Sequence, residues 1–277
     1  MIRLRHFTSA ALLALSGTAI AAEPANWSGP YVGGSLGYAW QRGSADETIL
    51  FDTNADGAYG DVVRTGAGAN AFSPGFCGGF ANTNAPAGGC RKDDDGPTLA
   101  VHAGYDWQRA NWLFGAVAEV GRTRLTDSVS AYSTTPASYA MTRDIDIDSA
   151  IRGRIGLVRN DLLVYVTGGL TYAKFDNRFA STNTANAFTG NGDDDAWGWV
   201  AGIGLEQQVG ERWTAGVLAK YTRYNADGYV VNASRGTAPA TNPFVITPAG
   251  NVNFARSKGD FDNVSASVTL SYRLGER

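Results

Sequence analysis

Val264-Ser-Ala-Ser-Val-Thr-Leu-Ser-Tyr-Arg-Leu274 is the stretch that decides the fold. Val264, Ala266, Val268, Leu270, Tyr272 and Leu274 are apolar or aromatic, while Ser265, Ser267, Thr269, Ser271 and Arg273 between them are hydroxylated or charged. Successive side chains of a strand point to opposite faces, so this segment predicts a strand with one apolar and one polar face. Seven more segments carry the same period, at 31–40, 98–108, 112–120, 147–157, 162–175, 197–206 and 213–224. In 197–206, for example, Trp197, Trp199, Ala201, Ile203 and Leu205 alternate with Gly198, Val200, Gly202, Gly204 and Glu206.

The connections between these segments alternate too. Tight turns are predicted around Asn111, at Asn160-Asp161 and at Gly210-Glu211, whereas residues 43–96, 127–146, 180–194 and 225–262 are long and rich in Gly, Asn, Asp, Ser and Thr. Short turns on one side and long polar loops on the other are the layout of an outer-membrane barrel, with turns in the periplasm and loops outside. A secreted β-sandwich shares the strand pattern but has no reason to sort its loops by length. Trp112 and Trp213 fall beside short turns, and Tyr38, Trp40, Trp197 and Trp199 fall toward the long loops, as two interfacial girdles require. The expected fold is therefore all-β: an eight-stranded antiparallel transmembrane β-barrel with four long external loops and short periplasmic turns.

The amino terminus agrees with export. Arg3 and Arg5 precede a short apolar run from Ala10 to Leu15, and Ala19-Ile-Ala-Ala22 supplies small residues for cleavage. Residues 1–22 read as a signal peptide and 23–277 as the barrel domain. Cleavage removes two arginines and no acid, taking the formal charge from −3 to −5. That mildly acidic balance, without a Lys/Arg cluster, argues against nucleic acid as a partner. No later stretch reaches the roughly 20 apolar residues of a membrane helix. Thirty-five glycines and seven tryptophans in 277 residues suit a chain with a thin apolar band, aromatic girdles and a polar interior. Its expected partners are outer-membrane lipid and lipopolysaccharide, with the barrel assembly machinery during insertion, and the uniformly apolar outer faces favour a monomer.

Trp27-Ser-Gly-Pro-Tyr-Val-Gly-Gly-Ser-Leu-Gly-Tyr-Ala-Trp40 resembles the opening of the Omp25/Omp31-like outer-membrane barrels of alphaproteobacteria. Gly104-Tyr-Asp-Trp-Gln108, Leu163-Val-Tyr-Val-Thr-Gly-Gly-Leu170, Gly198-Trp-Val-Ala-Gly-Ile-Gly-Leu-Glu206 and Val268-Thr-Leu-Ser-Tyr-Arg273 follow in the family's order, so the resemblance spans the mature chain. It implies an abundant surface-exposed barrel, with members that are structural, immunogenic or haemin-binding. The family usually closes on an aromatic residue read by the assembly machinery, and here the end is Tyr272-Arg-Leu-Gly-Glu-Arg277.

By alternation, Asp106, Glu119, Arg152, Arg154, Glu206, Lys220 and Arg273 project into the barrel. Buried charges have to be paired, and an eight-strand barrel is only wide enough for side chains, so these residues are expected to form a salt-bridged plug; a narrow channel or gate is the alternative. Cys77 and Cys90 are the only cysteines, and in an oxidising compartment they are expected to form a disulfide within the first long loop. Gly33-Gly-Ser-Leu-Gly37 matches the nucleophile-elbow pattern, with His102 and Asp106 on the next strand, but Ser35 lies inside an alternating strand and not at a strand-to-helix turn. The expected protein is a structural barrel that contributes to envelope integrity and presents surface loops, not an enzyme; a ligand or host-surface receptor acting through its loops is the alternative. Asp93-Asp-Asp95, Asp193-Asp-Asp195 and the strand-spaced Asp144, Asp146 and Asp148 make the loop side acidic, either as solvated surface or as ligands for divalent cations bridging to lipopolysaccharide. No cofactor is assigned: the implied haemin site would have only His102, Met141 and tyrosines such as Tyr132 and Tyr139 to draw on.

Overall fold

Alternating faces force the outcome when the surroundings are lipid, because every backbone donor must then be met by a neighbouring strand and the sheet must close. In the computed structural model, which describes residues 26–42 and 46–274, eight strands do so. They run Gly29–Gln41, Gly96–Arg109, Trp112–Thr123, Ala137–Arg159, Leu162–Ser181, Asp194–Gln208, Trp213–Asn225 and Asp260–Arg273. Each is antiparallel to the next, and the first pairs with the last from Tyr31 opposite Arg273 to Gln41 opposite Asn263, closing the wall. The expected signal peptide and the final three residues lie outside the described residues.

The outer face of the wall is apolar. Leu36, Leu99, Val101, Ile151, Leu170, Ile203 and Val268 are 56–72 % exposed, a continuous greasy surface that only a bilayer tolerates. Aromatic pairs bound this band. Tyr105–Trp107 and Trp213–Tyr272, at 4.7 and 5.0 Å between ring centres, mark the turn side. Tyr38–Trp40, Tyr172–Trp197 and Trp199–Tyr221, each at 5.2 Å, mark the loop side.

The long connections depart from the expected polar loops. They build a crown with its own sheet and core. Ala187–Gly190, Val230–Ser234, Val252–Arg256 and Ile49–Asp52 form a four-stranded sheet drawn from the first, third and fourth connections. The stretch 127–146 is not a loop: Thr126–Ser133 pairs with the outer half of the fourth barrel strand, and Gly75–Cys77 adds to its edge. Between these layers Phe51, Phe72, Tyr139, Phe244 and Phe254 are buried with Ile49, Val129, Met141, Tyr229, Val231 and Val252.

One residue makes the change of regime possible. Lys174 pairs with Ile147 and Phe175 with Ile145, so Asp146 is an extra residue in the fourth strand. Side chains have period two, and a single-residue bulge flips every later one to the other face. Below the bulge Ile147, Ile151 and Ile155 face lipid, at 40–72 % exposure. Above it Tyr139, Met141, Arg143 and Ile145 point inward and are buried.

Candidate functional site

The interior is filled in layers. At the turn end Trp27, Leu113, Val158, Leu163, Tyr165 and Leu218 pack into an apolar floor. Above it lie all seven charged residues expected inside. Arg154 is the hub: its Nε donates to Asp106 Oδ1 at 2.8 Å and its Nη1 to Glu206 Oε1 at 2.8 Å, while Nη2 contacts Asp106 Oδ2. Arg273 Nη2 donates to the same Asp106 oxygen at 2.7 Å. Arg152 Nη2 donates to Glu119 Oε2 at 2.8 Å, and Lys220 Nζ meets Glu119 Oε1. Asp106, Glu119, Arg152, Arg154, Glu206 and Arg273 are all buried.

Pairing at this quality is what makes burial tolerable, because an unpaired buried ion costs several kcal/mol. The arginines also lie over aromatic faces: Arg154 is 4.6 Å from the Tyr31 ring centre and Arg273 is 4.7 Å from that of Trp27. The small residues of the polar face make the room. A Cβ at Gly115 would fall 2.2 Å from Asp106 Oδ1, and one at Gly204 would fall 2.3 Å from the Tyr165 ring.

The elbow-like constellation does not assemble. His102 Nε2 is 2.9 Å from Ser271 Oγ instead of engaging Ser35, and Asp106 is held by two arginines.

Higher in the barrel, Leu125, Ile145, Phe175, Tyr224 and Phe261 form a second apolar layer. On it rests a second ionic layer that alternation within the eight strands did not reveal. Arg256 grips Glu47 with Nε and Nη2 at 2.8 and 2.7 Å and gives Nη2 to Asp127 Oδ2 at 2.7 Å as well. Arg143 Nε donates to the same Asp127 oxygen at 2.7 Å, and its remaining donors reach the carbonyls of Ala226, Gly259 and Asp260. The cluster ties together residues from the first, second and fourth connections. Burial works to raise the Asp127 carboxyl, but Arg256 and Arg143 outweigh it and hold the group down at about 2. At half-buried Asp93 the balance is reversed: burial and the neighbouring Asp127 charge outweigh the Ser128 amide and Arg256 and push the carboxyl up to about 7. One signal was available in the sequence, since Val252, Phe254 and Arg256 share a face by period two and mark Arg256 as inward.

The acidic runs act as backbone ties. Asp93 Oδ1 accepts from the Ser128 amide at 2.8 Å, Asp95 Oδ1 from that of Gln41 at 2.8 Å, and Asp194 Oδ2 from that of Gly228 at 3.0 Å. The bulge separates the strand-spaced trio. Asp148 turns inward to accept from Thr123 Oγ1 at 3.2 Å, while Asp144 and Asp146 face Arg178 and Arg122 on the outside. Among the described residues no group of three His, Cys, Asp or Glu side chains is arranged to hold a metal ion. Cys77 and Cys90 form a disulfide in the crown. Met141, Tyr132 and Tyr139 are at most 2 % exposed and present no ligand atom to an approaching haem.

The family model and the relatives in sequence agree with this architecture. The family model described as an outer membrane protein beta-barrel domain matches residues 7–273. The chain is similar to the 31 kDa outer-membrane immunogenic protein of Brucella melitensis biotype 1, with 28 % identity over 199 residues covering 71 % of each chain. It is also similar to the 22 kDa outer membrane protein of Rhizobium leguminosarum bv. viciae, with 27 % identity over 139 residues, 49 % of this chain and 58 % of that one. Among solved structures, the outer membrane protease OmpT of Escherichia coli aligns with a TM-score of 0.41 at 10 % identity, covering 94 % of this chain and 99 % of that one. The resemblance to Omp25/Omp31-like barrels is thus borne out by relatives whose names mark them as outer-membrane proteins. A closed eight-strand wall, an apolar band between two aromatic girdles and the family match together make this chain an integral outer-membrane protein that belongs to the outer membrane protein β-barrel domain family.

Proposed function

We propose that the protein is a structural barrel, contributing to envelope integrity and holding a folded crown outside the cell, with no through-pore and no catalytic role. The observation that carries this reading is the layered filling of the interior, from Trp27 at the floor through two ionic and two apolar layers to the aromatic core of the crown, with a cavity of about 20 Å³ inside the plug and one of about 500 Å³ beside Asp127 and Arg143. The engagement of His102 with Ser271 and of Asp106 with Arg154, away from Ser35, supports a role without catalysis. The wall makes its working contacts with outer-membrane lipid and lipopolysaccharide, the barrel assembly machinery inserts it, and it functions as a monomer.

The test is to refold the mature chain in detergent, run it on a gel with and without boiling, and add it to planar bilayers. The expected result is a heat-shifted band without steady conductance, together with greater detergent sensitivity in cells that lack the protein. Stepwise conductance would make it a narrow channel, with the Glu119–Arg152–Lys220 contact as the place to look for the path.

A further inference from the structure

The crown has a cup at its tip that neither the plug nor the disulfide explains. All four connections meet there, around a cavity of about 240 Å³. Phe72, Tyr139 and Phe244 lie beneath it, each at most 3 % exposed and locked into the aromatic core, so the base is rigid before any ligand arrives, while the exposed Pro136 and the partly exposed Ala185 and Pro243 give the floor its apolar surface. The wall is polar yet holds no charged side chain: Ser133, Thr134, Thr135, Thr182, Asn183, Thr184 and Asn242 line it. Asn183 Nδ2 donates to Tyr139 Oη and to Asn186 Oδ1, both at 3.0 Å, and Asn242 Nδ2 donates to Asn186 Oδ1 at 3.1 Å, which fixes the amides in place. Thr134 and Thr184 are exposed at the mouth, and the hydroxyls of Thr134, Thr135 and Thr184 have no partner among the described residues.

This chemistry is selective. An anion or cation entering the cup would lose hydration and find no counter-charge. A purely apolar guest would strip water from hydroxyls and amides and give nothing back. A peptide strand needs an open sheet edge or a long groove, and a cavity of about 240 Å³ is too small to seat one. Its volume is just below the range of about 300–1,000 Å³ that takes drug-sized ligands, so the guest is a single ring. A ring with one apolar face and a periphery of hydroxyls satisfies both floor and wall.

We propose that the cup binds one neutral pyranose unit of a polysaccharide or glycan. The proposal rests on the reading that the crown faces outside. The bacterium's own surface polysaccharide and the glycans of another cell share this chemistry, and the experiment separates them.

The full mature chain is prepared in a sugar-free detergent such as lauryldimethylamine oxide. Binding of methyl glycosides of glucose, galactose, mannose and N-acetylglucosamine is read by saturation-transfer NMR, with glucuronic acid and glucosamine as charged controls. At least one neutral glycoside is expected to bind, with affinity at least tenfold weaker in Ala185→Trp, which fills the cup, and a few-fold weaker in Thr184→Val, which removes one hydroxyl. The charged controls are expected to stay silent. Competition by delipidated polysaccharide of the producing bacterium assigns the guest to the same envelope, and competition by desialylated N-glycans assigns it to another cell. Binding undiminished in Ala185→Trp, stronger binding of a charged control, or no neutral glycoside bound by a correctly folded wild type overturns the proposal. Proteolysis of the crown on intact cells reports its location independently, so failure of the sugar site and failure of the outside-facing reading are distinguishable.

Discussion

Wall and crown share the fourth and fifth barrel strands but are turned inside out relative to each other. In the wall, apolar side chains such as Leu36, Leu99 and Ile151 face outward and ions such as Arg154 and Asp106 are buried. In the crown, apolar side chains such as Phe72, Val129 and Phe254 are buried as in a soluble protein, and Thr134, Thr135 and Asp146 face water. The difference follows from the solvent each part meets: lipid rewards an apolar outside, water an apolar inside. Where the fourth strand passes between the two solvents, the bulge at Asp146 reverses its faces. The strand opposite, Leu162–Ser181, makes the passage without reversal because its inward positions above the girdle, Phe175 and Phe179, are already apolar.

Deleting Asp146 breaks the comparison most severely. Tyr139, Met141, Arg143 and Ile145 would rotate outward, each apolar one forfeiting about 1.5–3 kcal/mol of burial. The expected outcome is a barrel that still shifts on heating but whose crown is cut rapidly by external protease, where the wild-type crown resists. Next in size, Arg154→Ala leaves Asp106 and Glu206 short of a buried partner, at about 3–5 kcal/mol. The midpoint of urea unfolding from vesicles should fall for the whole barrel, whereas Arg256→Ala, which strands Glu47, should leave that midpoint in place and loosen only the crown. Equal effects of the two variants on the barrel would mean that the two ionic layers form one cooperative unit.

Cys77→Ser should act on the crown alone. Closing a loop of 13 residues' separation is worth up to about 3 kcal/mol on the chain-entropy view, so the expected change is faster proteolysis between 60 and 95 with unchanged barrel unfolding. The smallest effect is a pH dependence. Asp93 titrates near 7 in the folded crown and near 3.8 when unfolded, so the folded state holds more protons between those values. Crown stability from this group is therefore fully present below about pH 4 and declines as pH rises toward 7. Asp127 acts in the opposite sense, losing its contribution as pH falls from 3.8 toward 2. Asp93→Asn should flatten the decline between pH 4 and 7 in hydrogen exchange at the Ser128 amide, and an unchanged slope would remove Asp93 from the account.

The wall and its plug were legible because alternation is strict wherever one face meets lipid. Eight segments and seven inward charges follow from that single periodicity, but which charge pairs with which, such as Arg154 with Asp106 and Arg152 with Glu119, depends on contacts between strands that alternation does not carry. The crown was not legible, for two physical reasons. Its strands are short, four or five residues in Ile49–Asp52 and Val230–Ser234, so a period of two has little room to show. The bulge then breaks the phase within the longest strand, so that reading back from Ile151 through Asp146 assigns Arg143 and Tyr139 to the lipid face. Aromatic residues scattered from Phe51 to Phe254 meet only through contacts between loops distant in sequence, which a local pattern does not carry.

The inversion itself is tested most directly at the two isoleucines that flank the bulge. Ile147→Cys and Ile145→Cys, reconstituted in lipid vesicles, are each treated with a lipid-soluble and a water-soluble maleimide. Ile147 is 40 % exposed on the outer face and Ile145 only 6 % exposed inside, so the first should react with the lipid-soluble reagent alone and the second with neither. If Ile145→Cys reacts with the lipid-soluble reagent as readily as Ile147→Cys, the strand keeps one face to the membrane throughout and the inside-out crown is wrong.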